Sequence, residues 1–282
     1  HQCHAYCGYY TSSFDEALCV VIDGGGSTLE DNTVEFESVY IMKGGKITET
    51  VYKRTGDRDK IAQMTEDFLK NPSVDLFREY NWEDFSIGSY YHHACHSIGM
   101  RWCDGGKLMG LAQYKNYKDK LPPEYSGTEW LDKVDFAYEV QKTTEEKVLK
   151  IVEKYSKQTG IKNIVLSGGV FLNCVSNYNL VRNLPKLKFH VDPMCSDNGI
   201  STGKALMSYI EKTDKIPNRI ENSYLGSSNS YTTRGEKVEY SDIIDILLSG
   251  DIVALFQGKS EVGQRSLGNR SLLFDARNKD GR

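Results

Sequence analysis

Short apolar runs alternate with glycine turns and longer amphipathic stretches, and the spacing predicts strands that hand the chain on to helices. Residues 18–22 (Leu-Cys-Val-Val-Ile) are uninterruptedly apolar, the mark of a strand buried on both faces, and they end at Asp23-Gly24-Gly25-Gly26-Ser27. Residues 164–173 (Ile-Val-Leu-Ser-Gly-Gly-Val-Phe-Leu-Asn) repeat the plan, with Gly168-Gly169 between a strand and a helix-compatible segment. Residues 37–42 and 46–52 flank Gly44-Gly45 and predict a hairpin. Helical patterns cover residues 6–13, 86–96, 174–183, 200–209 and 240–248. Residues 145–159 place Val148, Leu149, Val152 and Tyr155 on one face, and Gly160 stops that helix. Residues 59–80 are helical and acidic and read as a solvated linker helix. Residues 185–191 and 252–256 complete the strands. Residues 115–128, with Pro122-Pro123, and the Ser- and Asn-rich residues 224–234 read as surface loops.

Composition narrows the class. The chain has 282 residues, 39% of them hydrophobic, enough for one large domain or two lobes. A net charge of -4 gives no general electrostatic reason to bind nucleic acid. No apolar run approaches a membrane span, and we expect no signal peptide before His1. The seven cysteines follow no regular framework, so we expect reduced thiols in a cytoplasmic protein. Both ends read as cut from something longer.

The glycine turns carry the first candidate chemistry. Gly168 and Gly169 can take positive φ and let a phosphate or ribose approach the main chain, and Asn173 follows in the same segment. A tight turn with nothing bound is the alternative. Asp23, at the carboxyl end of a buried strand, is placed to hold a cation beside a phosphate, or only to cap its turn. His1 and His4, three apart, share a helical face and could grip one metal. His92 and His96, four apart with His93 beside them, suit either a metal or hydrogen bonding into a crevice. Lys107 follows the turn Asp104-Gly105-Gly106 and could meet a phosphate or pair with a neighbouring acid. Asp197 precedes a small-residue helix, where capping is the simple reading. The polar run of residues 257–271 contains Lys259, Glu261, Arg265 and Arg270 and suits anion or carbamoyl-oxygen recognition, or a solvated loop.

In this order, His1-x-x-His4-Ala5, Asp23-Gly-Gly-Gly-Ser27, Gly106-Lys-Leu-Met-Gly-Leu-Ala112, Ser167-Gly-Gly-Val-Phe-Leu-Asn173, Ser196-Asp-Asn-Gly199 and Gly263-Gln-Arg-Ser-Leu-Gly-Asn-Arg-Ser271, the chain resembles the O-carbamoyltransferase family. That family includes the nodulation-factor and antibiotic carbamoyltransferases and is related to the tRNA threonylcarbamoyltransferase. The resemblance implies an α/β fold of the actin, hexokinase and heat-shock ATPase superfamily, with two lobes, roughly residues 1–110 and 111–282, enclosing a nucleotide cleft. It implies that a separate adenylate-forming domain, which we expect to be absent here, makes carbamoyl adenylate from carbamoyl phosphate and ATP. The actin-like domain then transfers the carbamoyl group, metal-assisted, to a hydroxyl of a small molecule, saccharide or nucleoside. By resemblance His4, Asp23 and Asp197 fall on metal-ligand positions, and Gly24, Gly25, Gly26, Ser27, Gly168, Gly169 and Asn173 on nucleotide-contacting turns. Asp23, Lys107 and Arg265 are the candidate catalytic residues. The metal is divalent, Fe(II) first, with Zn, Mg or Mn as alternatives. The family motif His-His-x-x-His-Ala begins one histidine earlier, and His1 is the candidate substitute. The rival readings are tRNA threonylcarbamoyl transfer and a noncatalytic nucleotide-binding domain.

Overall fold

The computed structural model describes residues 1–121, 127–228, 235 and 237–278. They fall into two compact units, His1–Arg219 and Ile220–Arg282. The first is built on a five-stranded mixed sheet of β1 (Glu16–Ile22), β2 (Thr33–Lys43), β3 (Lys46–Asp57), β4 (Asn163–Ser167) and β5 (Lys188–Val191), in the order β3-β2-β1-β4-β5. β1, β2 and β3 run antiparallel, while β1, β4 and β5 run parallel. This helix-flanked α/β sheet is the architecture that the actin-like resemblance implies. The expected boundary near residue 110 falls inside the first unit, because β4, after it, pairs with β1, before it.

The apolar run of β1 has a direct cause. Leu18, Val20 and Ile22 face one core with Ile164, Leu166, Val148, Val152 and Leu180, while Ala17, Cys19 and Val21 face another with Ala5, Tyr9, Tyr10, Val165 and Ile210. A strand covered on both faces has no polar side, and each large aliphatic side chain buried there is worth about 1.5–3 kcal/mol. Helices α6 (Thr128–Thr159) and α7 (Cys174–Asn183) supply the first cover, and α1 (Gln2–Thr11) and α8 (Ile200–Thr213) the second. Gly160 ends α6 in the left-handed conformation at φ 73°, as its sequence predicts. The β2–β3 hairpin turns at Gly44 and Gly45, φ 57° and 84°, the pair of positive values that a two-residue turn of this hand requires.

Four shorter helices pack on the first half of α6: α2 (Arg58–Lys70), α3 (Val74–Glu79), α4 (Ile87–Ser97) and α5 (Gly105–Ala112). The predicted linker helix over residues 59–80 is thus two helices, parted around Pro72, and it is no solvated linker. Met64 and Phe68 of α2 and Phe77 of α3 are buried with Phe85, Tyr90 and Phe136. Its acidic residues lie on the other face, and charge alone hid the apolar one. The expected surface loop over residues 115–128 is largely short 3-10 turns up to Lys120, while Pro122 and Pro123 lie outside the described residues. The loop over residues 224–234 is likewise described only through 228.

The second unit contains α9 (Tyr240–Leu248) and the antiparallel pair β6 (Val253–Phe256) and β7 (Arg270–Leu273). All seven cysteines are free thiols. Among the described residues no helix is long and apolar enough to cross a membrane.

Candidate metal centre and ligand turns

Three chain segments converge at the carboxyl ends of the parallel strands, the edge where open α/β sheets bind ligands. Asp23 directly follows β1, and Asp197 opens the 3-10 turn Asp197–Gly199 between β5 and α8. His4 comes from α1. That helix lies close to α8 because Gly203 has no side chain: a Cβ there would stand 1.9 Å from the Cys3 carbonyl oxygen.

His4 Nε2 lies 3.0 Å from Asp23 Oδ2 and 3.6 Å from Asp197 Oδ1. The three donor atoms all lie within 4.8 Å of one another. A divalent metal about 2.1 Å from each donor sets neighbouring donors about 3.0 Å apart at octahedral angles and about 3.4 Å apart at tetrahedral ones, close to the two spacings from His4. Two further observations agree. Asp23 Oδ2 is buried with the His4 imidazole as its one close polar neighbour among the described residues, and no well-aligned hydrogen bond satisfies it. The site also opens on one side, since the His4 side chain is 3% exposed and that of Asp197 83%. One imidazole and two carboxylates suit Fe, Mn or Zn.

Asp23 is held from several directions. The Gly24 amide donates to its Oδ1 at 2.7 Å. Burial alone would raise the Asp23 pKa, but the His4 imidazole and the amides of Gly24 and Gly169 outweigh it, so the carboxyl stays below the ordinary range. Behind it, α4 comes so close at Gly88 that a Cβ would stand 2.5 Å from the Asp23 carbonyl and the Gly24 nitrogen. Ser86, which caps α4 by accepting from Ser89 N, donates its hydroxyl to the Gly24 carbonyl at 2.6 Å.

The two candidate ligand turns behave differently from each other. Gly168 takes φ 103°, and a Cβ there would stand 2.2 Å from the Ile22 carbonyl oxygen, so this position needs glycine for conformation and for space. Gly169, read as equally free, does not take positive φ, and neither do Gly24, Gly25 or Gly26. The Gly26 amide donates to Glu35 O at 2.7 Å, and the Ser27 carbonyl accepts from Glu35 N at 3.1 Å, so this end of the turn extends the strand pairing of β2. Asn173 caps α7 by accepting from Ser176 N and also bonds Gln141, whose Oε1 accepts from Tyr91 and whose Nε2 donates to Glu145.

The remaining sequence candidates lie elsewhere. His1 does not join the three-residue group, because its ring turns to β2, where Nδ1 meets Ser38 Oγ at 2.8 Å. Lys107 is exposed at the start of α5 and pairs with Asp104 at 3.3 Å. Arg265 is an exposed residue of the second unit. In that unit Glu261 Oε1 accepts from the amides of Leu267, Asn269 and Arg270 at 3.0, 2.7 and 3.1 Å. The polar loop therefore binds one of its own carboxylates.

Sequence reasoning passed over Asp192. It is 1% exposed, and it accepts from Ser167 Oγ and from Met194 N, each at 2.9 Å, tying the turn after β5 to the end of β4. Burial pushes its pKa up. Its position directly after a strand, like that of Asp23, was the available signal. Gln141 and Glu145 were signalled only as polar interruptions of the buried stripe of α6.

The Carbamoyltransferase N-terminus family profile matches residues 124–206, and the Carbamoyltransferase C-terminus profile matches residues 244–282. Nodulation protein NolNO of Sinorhizobium fredii is 27% identical over 308 residues, covering 99% of this chain and 44% of its own. The 3'-hydroxymethylcephem-O-carbamoyltransferase of Streptomyces clavuligerus is 27% identical over 205 residues, covering 61% of this chain and 39% of its own. Among solved structures, full-length HypF in its phosphate- and nucleotide-bound form gives a TM-score of 0.46 at 15% identity, covering 76% of this chain and 43% of that one. The chain spans about half the length of the first curated relatives it matches. The first profile ends beyond Asp197 and the second covers Arg265, so the family order of segments runs through both units. Parts of this chain in both units are thus similar to carbamoyltransferases, and nodulation proteins align with nearly its whole length.

Proposed function

We propose that the protein transfers a carbamoyl group from carbamoyl adenylate to a hydroxyl of a small molecule, saccharide or nucleoside. The single observation that carries this reading is the convergence of His4, Asp23 and Asp197 beside the Gly168-Gly169 turn. In the reaction the acceptor oxygen bonds to the carbamoyl carbon, the bond from that carbon to the phosphate oxygen breaks, AMP departs with the electron pair, and the hydroxyl proton is released. A divalent metal, Fe(II) first, would be held by His4, Asp23 and Asp197 and would supply Lewis-acid stabilisation of the phosphate and carbamoyl oxygens.

The chain's own groups prepare the site for this. Asp23 and Asp197 make it anionic and so select a cation. Asp23 is kept ionised by His4 and two backbone amides. Gly168 lets β4 turn directly against the Ile22 carbonyl at the end of β1, where no side chain would fit. Carbamoyl adenylate comes, in this reading, from carbamoyl phosphate and ATP in an adenylate-forming part of the protein.

The test is AMP release from added carbamoyl adenylate by the full chain, with a saccharide, a nucleoside or a hydroxymethyl cephem as acceptor. Removal of metal, or Asp197→Ala, is expected to lower the rate by about 100-fold or more, the scale on which lost transition-state electrostatics act. Rates equal to the parent in both conditions would rule the reading out.

A further inference from the structure

The histidine run on α4 divides into two roles. His93 is buried, with Nδ1 on the Ser89 carbonyl at 2.7 Å, and its ring packs edge-on against Phe68 and Trp102. His96 stacks on Trp102 with ring centroids 4.9 Å apart. Both are occupied in the aromatic core. His92 points the other way. It stands one helical turn after Gly88, on the α4 face that lies against Asp23 and Gly24. The position a side chain would take at Gly24 is 3.6 Å from His92 Nδ1 and 3.7 Å from its Cε1.

The His92 ring is therefore part of the wall of the candidate metal centre. Protein packed around it lowers its basicity, and the Asp23 carboxylate acts in the opposite sense, which places that carboxylate within electrostatic reach. The residue still keeps solvent exposure. Among the described residues its ring nitrogens make no hydrogen bond. A surface imidazole with no structural partner, held by a capped helix against a ligand turn, is available to a ligand. Asp23 and Asp197 alone repel a phosphoanion, so a ligand of that charge enters only with the cation.

We propose that His92 is a ligand-contacting residue of this site, its imidazole N–H donating to an oxygen of the phosphoanion that the cation draws in. The proposal rests on the carbamoyl-transfer reading and names the protein group that shares the phosphate with the metal.

The probe is AMP, titrated calorimetrically into the full chain with Mn2+ present and after its removal, for the parent, His92→Ala and His92→Gln. Metal-dependent AMP binding by the parent, weakened about tenfold or more in His92→Ala at unchanged metal stoichiometry, is the expected result, that being the scale of a hydrogen bond to a charged group. Glutamine keeps an N–H donor of similar reach, so His92→Gln should bind AMP within about threefold of the parent, as a donor role requires and a proton-transfer role does not. AMP affinity in His92→Ala equal to the parent overturns the proposal while leaving the carbamoyl-transfer reading intact. Loss of metal from His92→Ala overturns it too, by assigning the histidine to the metal. A parent that binds Mn2+ but no AMP defeats both readings together.

Discussion

His93 shows at the scale of one residue how the aromatic core sets the protein's response to acid. Its ring centroid lies 4.7 Å from that of Phe68 and 4.6 Å from that of Trp102. Burial there pushes its pKa down from the ordinary 6.5 to about 4. As pH falls below 6.5 the unfolded chain takes up a proton that the folded chain refuses until about 4, so this group's contribution to folded stability falls with pH across that window. Its share is about 3 kcal/mol at most between pH 7 and 4. Urea unfolding at stepped pH is expected to show a smaller decline in His93→Phe than in the parent, and identical slopes would contradict the buried neutral histidine. In the sequence His92 and His96, four apart, formed the pair, whereas in the structure it is His93 and His96 that both meet Trp102, because a run of histidines gives no sign of which face the core will take. His4, Asp23 and Asp197 were legible because each lies in a motif, and the two acids beside the end of a regular element. The role of Gly88 was not, since an i, i+4 relation to His92 acquires meaning only once α4 is known to lie on Asp23.

Among the elements, α4 depends on a buried ion pair beneath its start. Glu37 of β2 is 1% exposed and takes Arg54 Nε at 2.6 Å and Nη2 at 2.9 Å, while its Oε1 also accepts from the Ile87 amide at 2.8 Å. Arg54 donates in turn to the Phe85 carbonyl at 2.7 Å. The hairpin thus fixes both the loop entering α4 and its first turn, and through Ser86 and Gly88 the position of Asp23. Arg54→Met leaves an unpaired buried carboxylate and is expected to cost about 3–5 kcal/mol of stability in urea unfolding, whereas the double change of Glu37 and Arg54 to Met should cost less than the single one. A single variant within about 0.5 kcal/mol of the parent would show the pair to be dispensable. The hairpin itself was plain from Gly44-Gly45 and the runs beside it. Its ion pair was not, because charged residues such as Glu37 of β2 and Arg54 of the edge strand β3 read as solvent-facing until another element covers them. The same masking turned α2 and α3 into an apparent linker: three buried apolar positions, Met64, Phe68 and Phe77, lie among many charges.

At the scale of the whole molecule, the sheet order joins what sequence distance separates. β1 and β4 are neighbours in parallel register although some 140 residues lie between them, and that adjacency brings the Asp23 and Gly168 turns together. The sequence alone could not show that adjacency, because nothing local in either strand names its partner. All three candidate ligands belong to the first unit, so the account requires metal binding to be a property of that sheet edge. The decisive measurement is the metal content of the purified full chain by elemental analysis, with Fe(II), Mn2+ and Zn2+ titrations under anaerobic conditions, on the parent and on Asp23→Asn. The account predicts about one divalent ion per chain in the parent, and loss of that ion in Asp23→Asn with the thermal transition retained. Equal metal content in the two proteins, or none in a folded parent offered each ion, would contradict it.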